Sequence, residues 1–504
     1  MQEGGILLGI DFGTGGCKVS AVSVDGSLLA DASVEYATEY PKPGWSEQKP
    51  SDWYPAMCKA LAKISGKGVD LSKAICAAFD GSTHNAVLLD EKMAPVRKTI
   101  MWTDQRSVKE CEYLRKFYGG EIFSETFQMP APTWTLPQLM WIKSNEPEVL
   151  QKAKRVLFVK DYVRYLVTGV AATDYIEAQG TLFFDMKKMR WSRDLFALSG
   201  LDFSALPELV KPSDIVGKVS RQASLDTGIP EGTPVVCGAS DSAVEDYGAG
   251  AIEPGDCILK LATAGNVNIM TSSPRPSGTT LTYSHIIGGM WYAVSATNAA
   301  ALCQRWFRDA FCAEEKNAAL ALKRNAFDIM DALAGNSPAG AGGVFFHPYL
   351  QGERSPYWDP DLRASFTGVS ISSTKGDFAR AILEGVAFSL RDCYGSLESA
   401  GLKARRFFLI GGGARSSLWS SIISNVFNST VLVPTPGDAS YGAALLAGVG
   451  SGVFSAPGDA VRKCLKIVSR AEPDSEESEF YSKQFEKYKA VHDALAPVYK
   501  NKNL

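Results

Sequence analysis

Residues 6–24 decide the fold: Ile6-Leu7-Leu8-Gly9-Ile10, then Asp11-Phe12-Gly13-Thr14-Gly15-Gly16, then Cys17-Lys18-Val19-Ser20-Ala21-Val22-Ser23-Val24. An apolar run enters a glycine-rich turn and leaves as a segment that alternates polar and apolar residues. The chain therefore reads strand, turn, strand, and Asp25-Gly26 signals a second hairpin before a strand over 27–30. A dinucleotide-binding or Walker-type site sets its glycines between a strand and a helix. Here they lie between two strands, and no G-x-G-x-x-G is present, which argues against a dinucleotide-dependent oxidoreductase. In such a turn glycines let the backbone approach an anion, Thr14 adds a hydroxyl, Lys18 adds a positive charge, and Asp11 can orient a Mg²⁺ or its water shell. A plain hairpin turn explains the glycines almost as well.

Near residue 250 the same pattern returns. Residues 257–261 read as a strand, Ala262-Thr263-Ala264-Gly265-Asn266 as a turn of small residues, and 267–270 as a second strand. Thr263 stands where Thr14 stood. A duplicated fold would give two similar α/β domains with a phosphate loop each, and coincidence between two hairpins is the alternative. Between the hairpins, 53–64 and 136–143 have helical periodicity, as does 156–166, while 74–79 reads as a strand running into the polar loop Asp80-Gly81-Ser82-Thr83-His84-Asn85 and a short strand 86–89. The apolar strand 234–237 runs into Gly238-Ala239-Ser240-Asp241, and a helix over 242–248 can follow. A carboxylate at the end of such a strand suits a general base acting on a substrate hydroxyl; Asp241 equally suits a helix N-cap. Residues 407–410 lead into Gly411-Gly412-Gly413 and a helix from about 416, either a close-approach site for a flat purine ring or a tight turn. The tail after 471 is charged and helical in pattern.

Composition sets outer limits. At 504 residues the chain exceeds one ordinary core. A hydrophobic content of 45% with 21% charged residues is that of a globular protein, and a net charge of −3 implies no nucleic-acid or membrane partner. No apolar run reaches the roughly 18 residues that span a bilayer. The short run 6–10 follows Gln2 and Glu3, which is not a signal peptide. Ten scattered cysteines without a C-x-x-C pair, and only four histidines, point away from a zinc site and toward reduced thiols in a cytoplasmic enzyme.

The segment Gly368-Val369, seven residues, then Asp377-Phe378-Ala379-Arg380-Ala381-Ile382-Leu383-Glu384 resembles the C-terminal signature of the FGGY carbohydrate kinases. Its pattern suits a helix with Asp377 as cap and Phe378, Ile382 and Phe388 on the apolar side. Further matches follow in family order: Gly44-Trp45-Ser46-Glu47-Gln48, Trp102-Thr103-Asp104-Gln105-Arg106, Lys160-Asp161-Tyr162, and Pro348-Tyr349-Leu350-Gln351-Gly352-Glu353-Arg354-Ser355-Pro356. The resemblance covers nearly the whole chain, and within the family it looks most like the members acting on D-xylulose.

The resemblance implies a duplicated actin-like, ribonuclease-H-like α/β fold with ATP and Mg²⁺ in an interdomain cleft. It implies a sugar-binding and catalytic domain over 1–247 and a nucleotide-binding domain with a helical tail over 248–504. Asp241 matches the family's catalytic base. Asp11 matches the metal-orienting carboxylate, and Thr14, with Gly13, Gly15 and Lys18 around it, the first phosphate motif. Thr263 and Gly265 match the second phosphate motif, and Gly412 and Gly413, with Ser417 beyond them, the adenosine motif. Thr83, His84, Trp102, Asp104 and Ser242 join Asp241 around the sugar. Asp11, Thr14, Asp241, Thr263 and Gly412 are expected to converge on one cleft. The implied reaction is ATP-dependent phosphorylation of a small sugar, a ketopentose such as D-xylulose, with a kinase for another ketose, polyol or sugar acid as the alternative. A homodimer is allowed. An actin- or Hsp70-like ATPase fits the loops but leaves the 368–384 signature unexplained.

Four departures from the pattern bear on specificity. Ser82-Thr83-His84-Asn85 stands where Gln-Met-His-Gly is usual, and Asp241-Ser242 where Asp-Asn is. Ala262-Thr263-Ala264-Gly265 replaces Gly-Thr-Ser-Gly, and Gln138 replaces Lys. The sugar-side changes alter hydrogen-bonding groups, to which a polar site responds strongly.

Overall fold

The computed structural model describes residues 4–500, so Gln2 and Glu3 lie outside the described residues. The chain divides into two compact units. The first comprises 1–252, 282–291 and 436–465, and the second 253–281, 292–435 and 466–504. The expected division at 247/248 falls near the end of the first long segment. Neither unit is continuous in sequence, however, since two later stretches fold with the first.

In the first unit, β1 (Ile6–Gly13), β2 (Gly16–Ser23) and β3 (Leu28–Glu35) form an antiparallel meander. β4 (Ala74–Gly81) pairs parallel with β1, β6 (Pro234–Ser240) parallel with β4, and β5 (Ile215–Lys218) closes the edge antiparallel to β6. The sheet order is β5-β6-β4-β1-β2-β3. Strands β1, β4 and β6 are almost wholly buried, which is why they read as apolar runs without alternation. Helices α1 (Trp53–Gly66) and α2 (Val159–Thr168) bury Trp53, Met57, Leu61 and Val163 in the core of this unit.

The second unit repeats the plan. β7 (Asp256–Leu261) and β8 (Gly265–Thr271) form an antiparallel hairpin, and β9 (Trp291–Thr297) lies beyond β8. On the other side of β7, β10 (Arg406–Ile410) and β11 (Val431–Thr435) continue in parallel, and β12 (Lys466–Ala471) closes antiparallel. A hairpin followed by two parallel neighbours thus occurs twice, as the repeat of turns in the sequence predicts. α4 (Lys375–Ser399) runs through the core of this unit.

Two sequence expectations need correction. Residues 155–158 are a strand, and the helix begins only at Val159. The cap of α4 is Thr374, whose hydroxyl accepts from the Asp377 backbone while the Asp377 carboxylate accepts from the Thr374 backbone. Asp377 is therefore the third residue of a capping box and not the cap itself. Sequence signals for cap and third residue overlap because both favour Asp near a helix start.

Candidate active site

The carboxylates of the first unit gather at the C-terminal ends of its parallel strands. Asp11 on β1 is paired in register with Asp80 on β4 and with Lys18 on β2. Ser240, the last residue of β6, pairs with Gly81, so Asp241 emerges beside them as the first residue of α3 (Asp241–Gly248). A bulge in β6 makes this possible. Its register shifts between Val236 and Ala239, and Gly238 lies at φ +78° with its Cα so close to the Phe79 carbonyl that a Cβ would sit 1.5 Å away. Only glycine fits there, and the bulge re-aims the end of the strand. Ser240 occupies the cap position of α3, so Asp241 is not its N-cap.

Asp241 Oδ1 accepts from the Ser242 backbone N–H at 2.7 Å, from the Ser242 hydroxyl at 3.3 Å and from the Thr83 hydroxyl at 3.2 Å. The Thr83 contact ties the 82–85 loop to this carboxylate. The side chain next to Asp11 is a group that sequence reasoning missed. Asp80 is fully buried, and neither of its carboxylate oxygens has a hydrogen-bond partner that meets ordinary geometry. The close Asp11 carboxylate is the group it leans on. Burial, reinforced by Asp11 and Asp241, pushes Asp80 well above the carboxylate range. Burial likewise raises Asp11 to about 7, with Asp80 as hydrogen-bond donor opposing the rise. Two adjacent carboxyls in one dry site cannot both ionise cheaply.

Lys18 bonds Asp438 at 2.7 Å and Asp31 at 3.2 Å. Asp438 caps α6 (Ala439–Gly450), accepting from Tyr441 N–H at 3.0 Å, and Lys18 holds its carboxyl below the usual range. Helix α6 lies directly under β1, where a Cβ on Gly9 would come within 1.8 Å of the Ser440 carbonyl. So Gly9 is required by helix packing, whereas a Cβ on Gly15 would meet nothing within 4 Å.

The polar loop after β4 is internally clamped. Asn85 is fully buried; its Nδ2 donates to the Ser82 carbonyl at 2.8 Å and hydroxyl at 2.9 Å, and its Oδ1 accepts from Trp102 N–H at 2.5 Å. The indole of Trp102 donates to Thr14 Oγ1 at 2.9 Å. His84 takes φ +53°, donates its backbone N–H to the buried Glu177, and accepts from the Thr135 hydroxyl at 2.7 Å. Its ring packs 5.0 Å from Trp134 and against Gly180, and burial lowers its pKa to about 3, so the imidazole is neutral. Asp104 is wholly engaged. One oxygen accepts from Arg106 N–H and Nε, the other from Ser46 N–H and Arg106 Nη2, while Arg106 stacks over Trp45 at 3.8 Å. Asp104 thus braces the Trp102 loop.

In the second unit Thr263 lies exposed in the β7–β8 turn. Its carbonyl accepts from Ala300 N–H at 3.0 Å, and Arg305 Nη2 donates to its hydroxyl at 3.2 Å. Arg305 is a cation that no sequence motif singled out. Gly265 is demanded by packing, because a Cβ would press on Thr297 and Leu390. Parallel pairing of β10 with β7 brings the 411–413 loop beside Leu261. Gly411, at φ +89°, and Gly413 are both forced by Leu261, whereas Gly412 faces open space. Ser416 caps α5 (Ser417–Phe427), which leaves Ser417 exposed at its first position. Among the described residues no three His, Cys, Asp or Glu side chains form a metal-binding group. Asp11, whose buried Oδ1 has no hydrogen-bond partner, suits a Mg²⁺ that arrives with substrate phosphates.

The twice-built hairpin fold, with a carboxylate at the strand ends of its first unit, is that of the actin-like class. The family model for the N-terminal domain of the FGGY family of carbohydrate kinases matches residues 6–248, and the one for the C-terminal domain matches 261–451. The xylulose kinase of Staphylococcus epidermidis is 30% identical, covering 97% of this chain and 96% of its own length. The gluconokinase of Bacillus subtilis is 29% identical over 87% and 86% of the two chains. The crystal structure of xylulose kinase from Rhodospirillum rubrum superposes with a TM-score of 0.87 at 28% identity, covering 98% of this chain and 99% of that one. The chain belongs to the FGGY family of carbohydrate kinases, enzymes that take a phosphoryl group from ATP to a sugar hydroxyl. Among the described residues no helix is long and apolar enough to cross a membrane.

Proposed function

We propose that the sugar is a ketopentose, D-xylulose, and that Asp241 is the base that takes the proton from its attacking hydroxyl. The reading is supported by the 30% identity to a xylulose kinase across nearly the whole chain, and it is carried by the position of Asp241. That carboxylate is pinned through Oδ1 at the ends of the parallel strands, within the electrostatic reach of Asp11. Residues 1–247 bind the sugar and catalyse, and 248–504 bind the nucleotide. Thr14, Gly13 and Gly15 address one set of phosphate oxygens, and Thr263 and Gly265 another. Gly412, which faces open space, with Gly413 and Ser417, takes the adenosine. Asp11 would hold the Mg²⁺, which when bound neutralises phosphate charge. Lys18 acts through Asp438 and Asp31, and Asp104 through the loop that carries Trp102.

His84, held neutral, and the hydroxyls of Thr83 and Ser242 supply the polar groups for the sugar. Ser82 and Asn85 are spent on each other and on Trp102, so of the loop's departures only Thr83 repolarises the pocket. Gluconate is the second reading, favoured by the similarity to a gluconokinase. Phosphorylation assays with ATP and a panel of pentuloses, hexuloses, polyols and sugar acids test both. D-xylulose is expected to be turned over; a kcat/KM higher for gluconate than for every pentulose overturns the ketopentose assignment.

A further inference from the structure

Trp102 carries a hydrogen bond that packing against a sugar does not require. Its indole N–H points at Thr14 Oγ1, 2.9 Å away. A threonine hydroxyl has one hydrogen to give and lone pairs to receive. Once Trp102 donates to the oxygen, the hydroxyl's own hydrogen is turned elsewhere. The Thr14 carbonyl is also committed, accepting from Gln48 Nε2 at 2.6 Å, which fixes the backbone of the turn. Next to it Gly15 is exposed, with open space where a side chain would stand. The remaining half of the bridge is as firm. Trp102 is held at its backbone N–H by Asn85 Oδ1 at 2.5 Å, and Asn85 is locked to Ser82 by two further bonds. Ser82 N–H in turn donates to the Phe12 carbonyl of β1 at 2.9 Å. A closed ring of bonds therefore runs from β1 through Ser82, Asn85 and Trp102 back to Thr14.

We propose that Trp102 is a positioning residue for phosphate binding: its indole N–H sets the Thr14 hydroxyl as a donor toward the nucleotide, and Asn85 keeps the indole in place. This rests on the reading of Thr14 as a phosphate contact. The role differs from that of a ring that only packs on a carbon chain, because it belongs to the N–H and leaves the ring face aside. Losing one neutral hydrogen bond of this kind corresponds to about a fivefold loss in affinity.

Trp102→Phe keeps a ring and removes the N–H. In the full-length enzyme it is expected to raise the KM for ATP about fivefold, with the sugar KM changed less than twofold. Thr14→Val is expected to raise the ATP KM by at least as much, and Trp102→Phe added to Thr14→Val to cost nothing more, since both remove one donor arrangement. Asn85→Gly releases the indole by another route and is expected to raise the ATP KM as well, which covers the case in which the Phe variant fails to fold. A Trp102→Phe enzyme that loses sugar affinity alone, or a double variant whose penalties add, overturns the proposal. If Thr14→Val raises the ATP KM and Trp102→Phe does not, the proposal fails while the phosphate reading of Thr14 stands. An unchanged ATP KM in Thr14→Val overturns both.

Discussion

Replacing Asp80 by Asn should stabilise the protein, and increasingly so as the pH rises from 5 to 7. Asp80 and Asp11 are register partners on adjacent parallel strands, roughly 5 Å apart at that strand spacing. Two carboxylates at that distance and an effective dielectric of about 20 repel by roughly 3 kcal/mol, before the cost of burying either. Burial beside Asp11 raises the Asp80 pKa well above the usual carboxylate range, which favours the protonated form in the fold. In the unfolded chain the same carboxyl ionises near 3.9. Between the unfolded and the folded pKa the folded state binds up to one proton more than the unfolded state at this position, so stability falls with rising pH by up to about 1.4 kcal/mol per unit there. The contribution of a neutral Asp80 is fully present below about pH 4 and is progressively lost as the pH climbs toward its folded value. Asn keeps the shape, can donate to Asp11, and needs no proton. The advantage of Asp80→Asn over wild type should therefore widen with rising pH until the folded-state pKa of Asp80 is reached, at a slope of up to about 1.4 kcal/mol per unit. Calorimetric melting of both proteins at pH 5, 6 and 7 measures this as a growing offset between their midpoints. An offset independent of pH, or one that turns against the variant as pH rises, would mean that Asp80 is ionised in the fold, and the reasoning fails.

Asp241→Asn should lower sugar phosphorylation by roughly 10²–10⁴-fold, the worth of a positioned base, while calorimetric ATP binding persists; equal loss of both would make Asp241 structural. Sugar should lower the apparent Kd for ATP, and ATP that for sugar, by the same factor, since coupled binding is reciprocal; two independent affinities in a titration exclude the coupling. Restoring Thr83→Met together with Ser242→Asn removes both hydroxyl donors to Asp241 Oδ1, leaves the Ser242 backbone N–H, and supplies an amide. It should raise D-xylulose kcat/KM above that of the unmodified enzyme, and a double variant with an unchanged or lower value would show that these two departures do not set the specificity.

The strand-turn-strand of residues 6–24 and its echo at 256–271 were legible because buried parallel strands and glycine turns leave local signatures. So were the place of Asp241 at the end of a buried strand and the ordered motifs, since each is a short contiguous string. Local patterns could not show what a side chain does once the strands pair. Asp80 reads as a polar loop residue, and only the β1–β4 register sets it in the dark beside Asp11. Asp104 reads as a sugar ligand, and only the fold reveals that Arg106 and Ser46 have taken both of its oxygens. Asn85 reads as a more polar pocket, yet it is buried and spent on holding Trp102. Helix α6, more than four hundred residues after Gly9 in sequence, is what leaves no room for a side chain there. A sequence specifies which groups exist and their local periodicity. Which of them face a ligand is decided by pairing between distant strands, because a hydrogen bond satisfied inside the protein is one that the substrate no longer receives.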